Sequence, residues 1–223
     1  MASLSGKVAI VTGGTQGLGA AIAHTLAQRG AVGIVICGRN AAKGKDQAEQ
    51  LRGLGSQALY VQADLAKVDD CRRVVQQADA TFGRVDVLVN AAAMTDRGTI
   101  LDTEPELFDA MFAVNVRAPF YLMQESIKVM RREQIEGCIV NIGSMSALAG
   151  QPFISAYCAS KGGINQLTRV MTSEWARHGI QVNGLVPGLF PHEDMTADIK
   201  GNLEATSDKD VCQPALRVGR LRE

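Results

Sequence analysis

The chain has no net charge: Lys+Arg and Asp+Glu both number 23 among its 223 residues. With neither sign in excess there is no field to steer a polyanion toward it, and no basic cluster is interleaved with aromatics. Nucleic acid is therefore not an expected partner. Nothing approaches the roughly 18 uninterrupted apolar residues of a membrane span, so a membrane is not expected either. The start, Met1-Ala2-Ser3-Leu4-Ser5-Gly6-Lys7, lacks the charged segment and apolar core of a secretion signal. No C-x-x-C pair occurs. The five cysteines (Cys37, Cys71, Cys138, Cys158, Cys212) are scattered and odd in number, which argues for reduced thiols in a cytoplasmic setting and against a disulfide frame or a zinc site. His24 and His178 stand alone, so no metal is expected.

What is present is an ordinary globular composition, 46% hydrophobic and 21% charged. Short apolar runs alternate with helical patterns. Lys7 to Thr12 reads as a β-branched strand buried on both faces, then come the glycines of Gly13-Gly14-Thr15-Gln16-Gly17-Leu18-Gly19, then a helix from Ala20 to Arg29. Strands follow at 32–37, 58–63, 85–89, 138–142 and 181–186, and helices at 40–54, 67–82, 105–132 and from the Tyr157 region to about 177. Asn40 suits a helix cap and Pro105 a first turn. Repeated βαβ units with strands apolar throughout imply an α/β protein, one doubly wound parallel sheet flanked by helices on both faces. After Pro187-Gly188 the periodicity fades, and residues 189–209 read as an insertion beside the carboxyl ends of the strands, where ligands bind in such sheets.

Strand, glycine turn and helix start make an anion site, because bare backbone N–H groups and the positive helix end point at one place. Tyr157 and Lys161 lie one helical turn apart on one face. A free tyrosine has a pKa of about 10, and a cation beside it favours the phenolate and brings it into the range of useful proton transfer. Alone, such a pair is more often structural than catalytic.

Thr12-Gly13-x-x-x-Gly17-x-Gly19, Asn115, Ser144 and Tyr157-x-x-x-Lys161 together resemble the short-chain dehydrogenase/reductase family, in its short single-domain branch. Asn90-Ala91-Ala92-Ala93 and Pro187-Gly188 occupy matching places, and Ser144 stands thirteen residues before Tyr157. The resemblance runs in order from Lys7 to about Gly188, with an echo in Leu216 to Arg220. It implies one Rossmann-like domain over residues 1–223, with a cofactor half to about 135 and a catalytic and substrate half from about 136. The implied activity is hydride transfer between a nicotinamide cofactor and a ketone or secondary alcohol. In it Tyr157 is the general acid/base, Ser144 holds the carbonyl oxygen, Lys161 lowers the Tyr157 pKa and holds the ribose, and Asn115 fixes a proton-carrying water.

Cofactor contacts implied by the resemblance are Gly13, Thr15, Gln16, Gly17, Leu18 and Gly19 for the pyrophosphate, and Asp64 and Leu65 beside the adenine. Asn90, Ala91, Ala92, Pro187 and Gly188 would lie near the nicotinamide, with Tyr157 and Lys161. The second strand ends at Gly38-Arg39, with no acid for a ribose 2′-hydroxyl and a guanidinium suited to a 2′-phosphate. NADP(H) is expected, with NAD(H) as the alternative. Candidate substrate contacts are Met94, Ser146, Phe153, Leu189 and Phe190, around a small carbonyl or alcohol compound.

Two departures stand out. The family shows Asn-Asn-Ala-Gly where this chain has Asn90-Ala91-Ala92-Ala93, and relatives continue past the Leu216–Arg220 region into a further helix and strand, so the C-terminal end reads as incomplete. A sixth-strand edge left open would be an association hazard. These features leave a second reading, a dinucleotide-binding scaffold or sensor that has lost turnover, whereas chain length and glycine spacing disfavour a sugar-nucleotide epimerase. The two long helices imply, through the family, a homodimer or homotetramer.

Overall fold

A computed structural model describes residues 3–95 and 98–188 and the backbone of 216–218. Seven strands form one sheet in the order β3-β2-β1-β4-β5-β6-β7. They are β1 (Val8–Thr12), β2 (Gly33–Gly38), β3 (Gln57–Gln62), β4 (Val87–Asn90), β5 (Cys138–Ile142), β6 (Gln181–Val186) and β7 (Leu216–Val218). The first six are parallel, and β7 runs antiparallel along β6, Gly184 opposite Val218. The β6 edge, an open edge by the sequence, is thus covered by the backbone of β7. Helices α1 (Gly17–Gln28) and α2 (Ala41–Gly53) belong to the β1–β3 half, with α3 (Val68–Phe82) following β3. Then come α4 (Pro105–Phe112), α5 (Ala118–Arg132), the short α6 (Ser146–Ala149) and α7 (Ser155–Trp175).

All five β1 residues are buried, as a strand with helices on both faces requires. The core falls into two layers. Ile10, Val35, Leu88 and Ile139 pack with α3 and α5 side chains such as Val74 and Leu122 on one face. Val11, Ile34, Ile36 and Val89 pack with Ala23, Ala27 and Leu51 of α1 and α2 on the other. The alanines let α1 approach the sheet closely. Asn40 caps α2 as expected, its Oδ1 accepting from the Lys43 N–H at 3.0 Å.

Two element boundaries differ from the sequence pattern in ways that matter. Helix α1 starts at Gly17 and not Ala20, so the last three glycine-loop residues are its first turn. The stretch 105–132 is not one helix. Between α4 and α5 the backbone makes a π-helical turn, Ala113–Arg117, with Asn115 at its centre. Pro119, in the first turn of α5, has no N–H and cannot serve as the α-helical partner of the Asn115 carbonyl four residues earlier.

The amino ends of β1 and β4 are tied by Asp86, which is 2% exposed. Its carboxylate accepts from the Val8 N–H at 2.9 Å, Lys7 Nζ at 3.1 Å and Arg84 Nε at 2.8 Å. Burial pushes its pKa up, but the Arg84, Val8 and Lys7 donors outweigh that and hold it below the usual carboxylate range. A depressed carboxylate contributes stability that is complete above its unfolded pKa and lost as pH falls through the folded one. Asp86→Asn is expected to destabilise the fold by about 2–3 kcal/mol in urea unfolding at pH 7. The deficit should narrow toward the acid end of the titration, and a deficit independent of pH would contradict this assignment.

Candidate active site

The site lies along the carboxyl ends of β1, β4, β5 and β6, and is assembled from loops that the sheet holds in place. Thr12, the last residue of β1, is buried. Its Oγ1 accepts from the Ala91 N–H at 3.0 Å and the Ala92 N–H at 3.1 Å, and donates to the Val89 carbonyl at 3.4 Å. One hydroxyl therefore fixes the loop after β4 against the glycine loop after β1. A side chain at Gly13 (φ +65°) would put its Cβ 2.9 Å from Ala92 Cα, and one at Gly19 would come 2.3 Å from the Gly13 carbonyl oxygen. Close backbone approach requires glycine at both positions.

Gln16 precedes α1, its side chain makes no capping bond, and no acid occupies the first turn. The first-turn amides of α1 therefore end in an uncapped positive pole. A cradle that a Cβ would fill, facing an uncapped helix start, fits a pyrophosphate held by Gly13, Thr15, Gly17, Leu18 and Gly19. Arg39, Gln62, Ala63, Asp64, Asp70 and Arg73 line a recess of about 450 Å³ at the end of β2 and β3. The Asp64 Oδ1 accepts from the Ala66 N–H at 3.1 Å, whereas Leu65 is buried in the core.

The side chains expected to handle protons come together around β5. Asn115 is 2% exposed in its π turn. Its Oδ1 accepts from the Met94 N–H at 2.8 Å, and its Nδ2 donates to the Met94 carbonyl at 2.8 Å and to Ser160 Oγ at 2.9 Å. Ser160 Oγ in turn donates to the Tyr157 carbonyl at 2.8 Å. Asn90, also buried, donates through Nδ2 to Asn141 Oδ1 at 2.8 Å and so joins β4 to β5. Pro187 accepts through its carbonyl from the Met145 N–H at 3.1 Å, which ties the segment after β6 to the Ser144 loop; among the described residues a Cβ on Gly188 would meet no atom within 4 Å.

Ser144 pairs with Ser146, Oγ to Oγ at 2.7 Å, and its hydroxyl is close enough to Tyr157 to favour the phenolate. Lys161 is 3% exposed, its Nζ donating to the Ile142 carbonyl at 2.7 Å and lying 5.8 Å from the centroid of the Tyr157 ring. Burial pushes the Tyr157 phenol up, partly offset by the Ser144 hydroxyl. Burial also draws Lys161 down from 10.5 to about 8. The expected lowering of the Tyr157 pKa is therefore corrected. The ammonium that would depress it is itself desolvated and engaged by a carbonyl, and the cost of burying a phenolate prevails.

Of the substrate candidates, Ser146 is buried beside Ser144, and Met94 is held through its backbone by Asn115. Phe153 is 60% exposed. It is one of two non-glycine residues with positive φ, at +66°, among the described residues. Leu189 and Phe190 lie outside the described residues. Thr12 opens the glycine motif, but its role as loop clasp is not read from it. Two contributors escape a motif reading altogether: Ser160 as the partner of Asn115, and Pro119 as the residue that denies the Asn115 carbonyl its α-helical donor. The proline inside an otherwise helical pattern was the one available signal for the last. Among the described residues no group of three or more His, Cys, Asp or Glu side chains is placed to hold a metal ion.

Comparison with known proteins points one way. The sequence model described as short chain dehydrogenase matches residues 7–203. An uncharacterized oxidoreductase of Thermotoga maritima is 36% identical over 99% of this chain and 88% of its own. The 2-dehydro-3-deoxy-D-gluconate 5-dehydrogenase of Escherichia coli is 38% identical over 83% of this chain and 72% of its own. Among solved structures, a gluconate 5-dehydrogenase from Burkholderia cenocepacia in complex with NADP and tartrate superposes with a TM-score of 0.80. It is 36% identical and covers 86% of this chain and 74% of its own.

The depressed Lys161 has a stability signature. Its folded pKa lies below its unfolded one, so the native state binds fewer protons between about pH 8 and 10.5, and folding stability rises with pH across that window. Lys161→Met should remove this rise and raise the melting temperature below pH 8. Equal pH dependence in the two proteins between pH 8 and 10.5 would show that Lys161 is not desolvated as described.

Proposed function

The chain belongs to the short-chain dehydrogenase family, and from that footing we propose that it is an NADP(H)-preferring oxidoreductase interconverting a ketone and a secondary alcohol. The observation that carries this is the meeting of Ser144, Tyr157 and Lys161 beside a glycine cradle. A bound nicotinamide supplies or accepts the hydride at the substrate carbon. Reduction leaves charge on the substrate oxygen, and the Tyr157 phenol, kept protonated by burial, donates to it. Ser144 donates a hydrogen bond to the same oxygen and orients it against the phenol.

Lys161 is the nearby cation that offsets a developing phenolate, and its Nζ is the donor available to the nicotinamide ribose. The Asn115 carbonyl is denied its α-helical donor by Pro119 and would accept from a water passing protons outward. Asn90, Ala91, Ala92, Pro187 and Gly188 shape the nicotinamide side, and Asp64 and Leu65 the adenine end. Arg39 at the end of β2 favours a cofactor with a 2′-phosphate, and the NADP complex of the Burkholderia relative supports the same choice.

The names of the relatives support keto and hydroxy sugar acids as the first substrates to try. The exposed Phe153 ring, four residues before Tyr157, favours ketones with a hydrocarbon body as the second set. The reading takes residues 1–223 as one domain of a cytoplasmic protein; no described helix is long and apolar enough to cross a membrane. A groove between α4, α5 and α7, lined by Phe112, Val116, Phe120, Leu167 and Val170, is the face on which a second copy would pack. A dimer or tetramer mass in light scattering is expected, and a monomer would remove that part.

Absorbance at 340 nm across both substrate sets is the direct assay. Tyr157→Phe should lower kcat by about 10²–10⁴-fold while NADPH binding stays within about threefold. Turnover that survives this substitution contradicts the mechanism. NADPH binding with no turnover on any substrate would favour the scaffold reading, which Ala93 supports.

A further inference from the structure

We propose that Lys43 is a second cation of the subsite for a phosphate monoester on the adenine ribose, so that Lys43 and Arg39 together select NADP(H) over NAD(H). This rests on the nucleotide reading above but concerns a residue that no motif singles out. Strand β2 ends at Gly38, Arg39 follows, and Asn40 caps α2 by accepting the Lys43 N–H at 3.0 Å. That bond fixes Lys43 in the first turn, where a helical side chain leans back toward the amino end. The ammonium consequently reaches over the gap between α2 and the glycine loop, and Nζ donates to Gln16 Oε1 at 2.9 Å. The end of β2 also packs against the glycine loop, since a Cβ on Gly38 would lie 2.9 Å from the Thr15 side chain.

The partners are informative. Lys43 is held by a neutral amide, and among the described residues neither Lys43 nor Arg39 forms an ion pair with a carboxylate. Of the acids that share the recess with Arg39, Asp70 pairs with Arg73 and accepts the Asp64 N–H, and Asp64 accepts the Ala66 N–H without pairing with Arg39. Two uncompensated cations thus flank the end of β2, the position that reads the ribose 2′ substituent in such sheets. A phosphate monoester carries about −1.5 to −2 charge at pH 7 and three strong acceptor oxygens. Exchanging the Gln16 amide for that anion is favourable for Lys43, whereas the 2′-hydroxyl of NAD(H) offers it no charge.

Fluorescence titration with NADPH and NADH tests this without any substrate. Lys43→Gln should raise the NADPH Kd about 5–10-fold, a size suited to an exposed charged contact. NADH affinity should stay within about twofold, and the salt dependence of NADPH binding should become shallower. Lys43→Arg should restore most of the loss. Wild-type preference for NADPH left unchanged by Lys43→Gln would overturn the Lys43 role and leave Arg39 standing. Equal weakening of both cofactors would also overturn it, as a general effect on the loop. A wild-type protein that binds both cofactors alike would overturn the Arg39 assignment and this one together.

Discussion

The Asn115 side chain is the joint on which the rest of the site depends. A single buried amide accepts from one backbone N–H and donates to a backbone carbonyl and a serine hydroxyl. Those partners belong to different elements, the loop after β4 and the helix that carries Tyr157. At 2% exposure a lost partner is not replaced by bulk water, so each unmet bond costs about 1–3 kcal/mol. The amide can reach both because the backbone is wider there. Asn115 lies at the centre of the π turn, and Pro119 leaves its carbonyl without the usual helical donor.

Around this joint the protein buries groups that would otherwise sit in water. On α7, Ser160, Lys161, Asn165, Thr168 and Thr172 are all buried, a polar stripe where a helix usually turns its apolar face. The threonines answer their own need, donating to the Ile164 and Thr168 carbonyls one turn back. Among the described residues the Lys161 ammonium donates only to the Ile142 carbonyl, and burial draws its pKa down. The same dryness raises the Tyr157 phenol. Both groups are held closer to neutrality than water would allow, and charge developing between them is correspondingly less screened.

Much of this was legible in the chain itself, and the division has a physical basis. Strand alternation, the glycine loop and the Asn40 cap are local, set by residues a few positions apart, and the structure follows them closely. Asn115, Ser144, Tyr157 and Lys161 could be singled out together because they resemble the motif set of the short-chain dehydrogenase/reductase family. The π turn was hidden because the apolar pattern from 105 to 132 runs through it, and Pro119 alone hints at a break. The direction of the Tyr157 shift was misread for a related cause. Helical spacing reports that a cation is near, but burial comes from β5, β6 and the loops packed over α7. The roles of Thr12 and Ser160 likewise depend on partners 79 and 45 residues away.

The central claim is that hydride passes between a nicotinamide and the carbon whose oxygen Ser144 and Tyr157 hold. It is tested most directly by isotope transfer. The protein would be given NADPH carrying deuterium at nicotinamide C4, prepared separately as each of the two epimers, together with a keto acid that it turns over. The alcohol product would then be examined by mass spectrometry and proton NMR. One deuterium per product molecule is expected on the carbinol carbon, from one epimer only. Product that forms without deuterium from either epimer would contradict direct hydride transfer at this site.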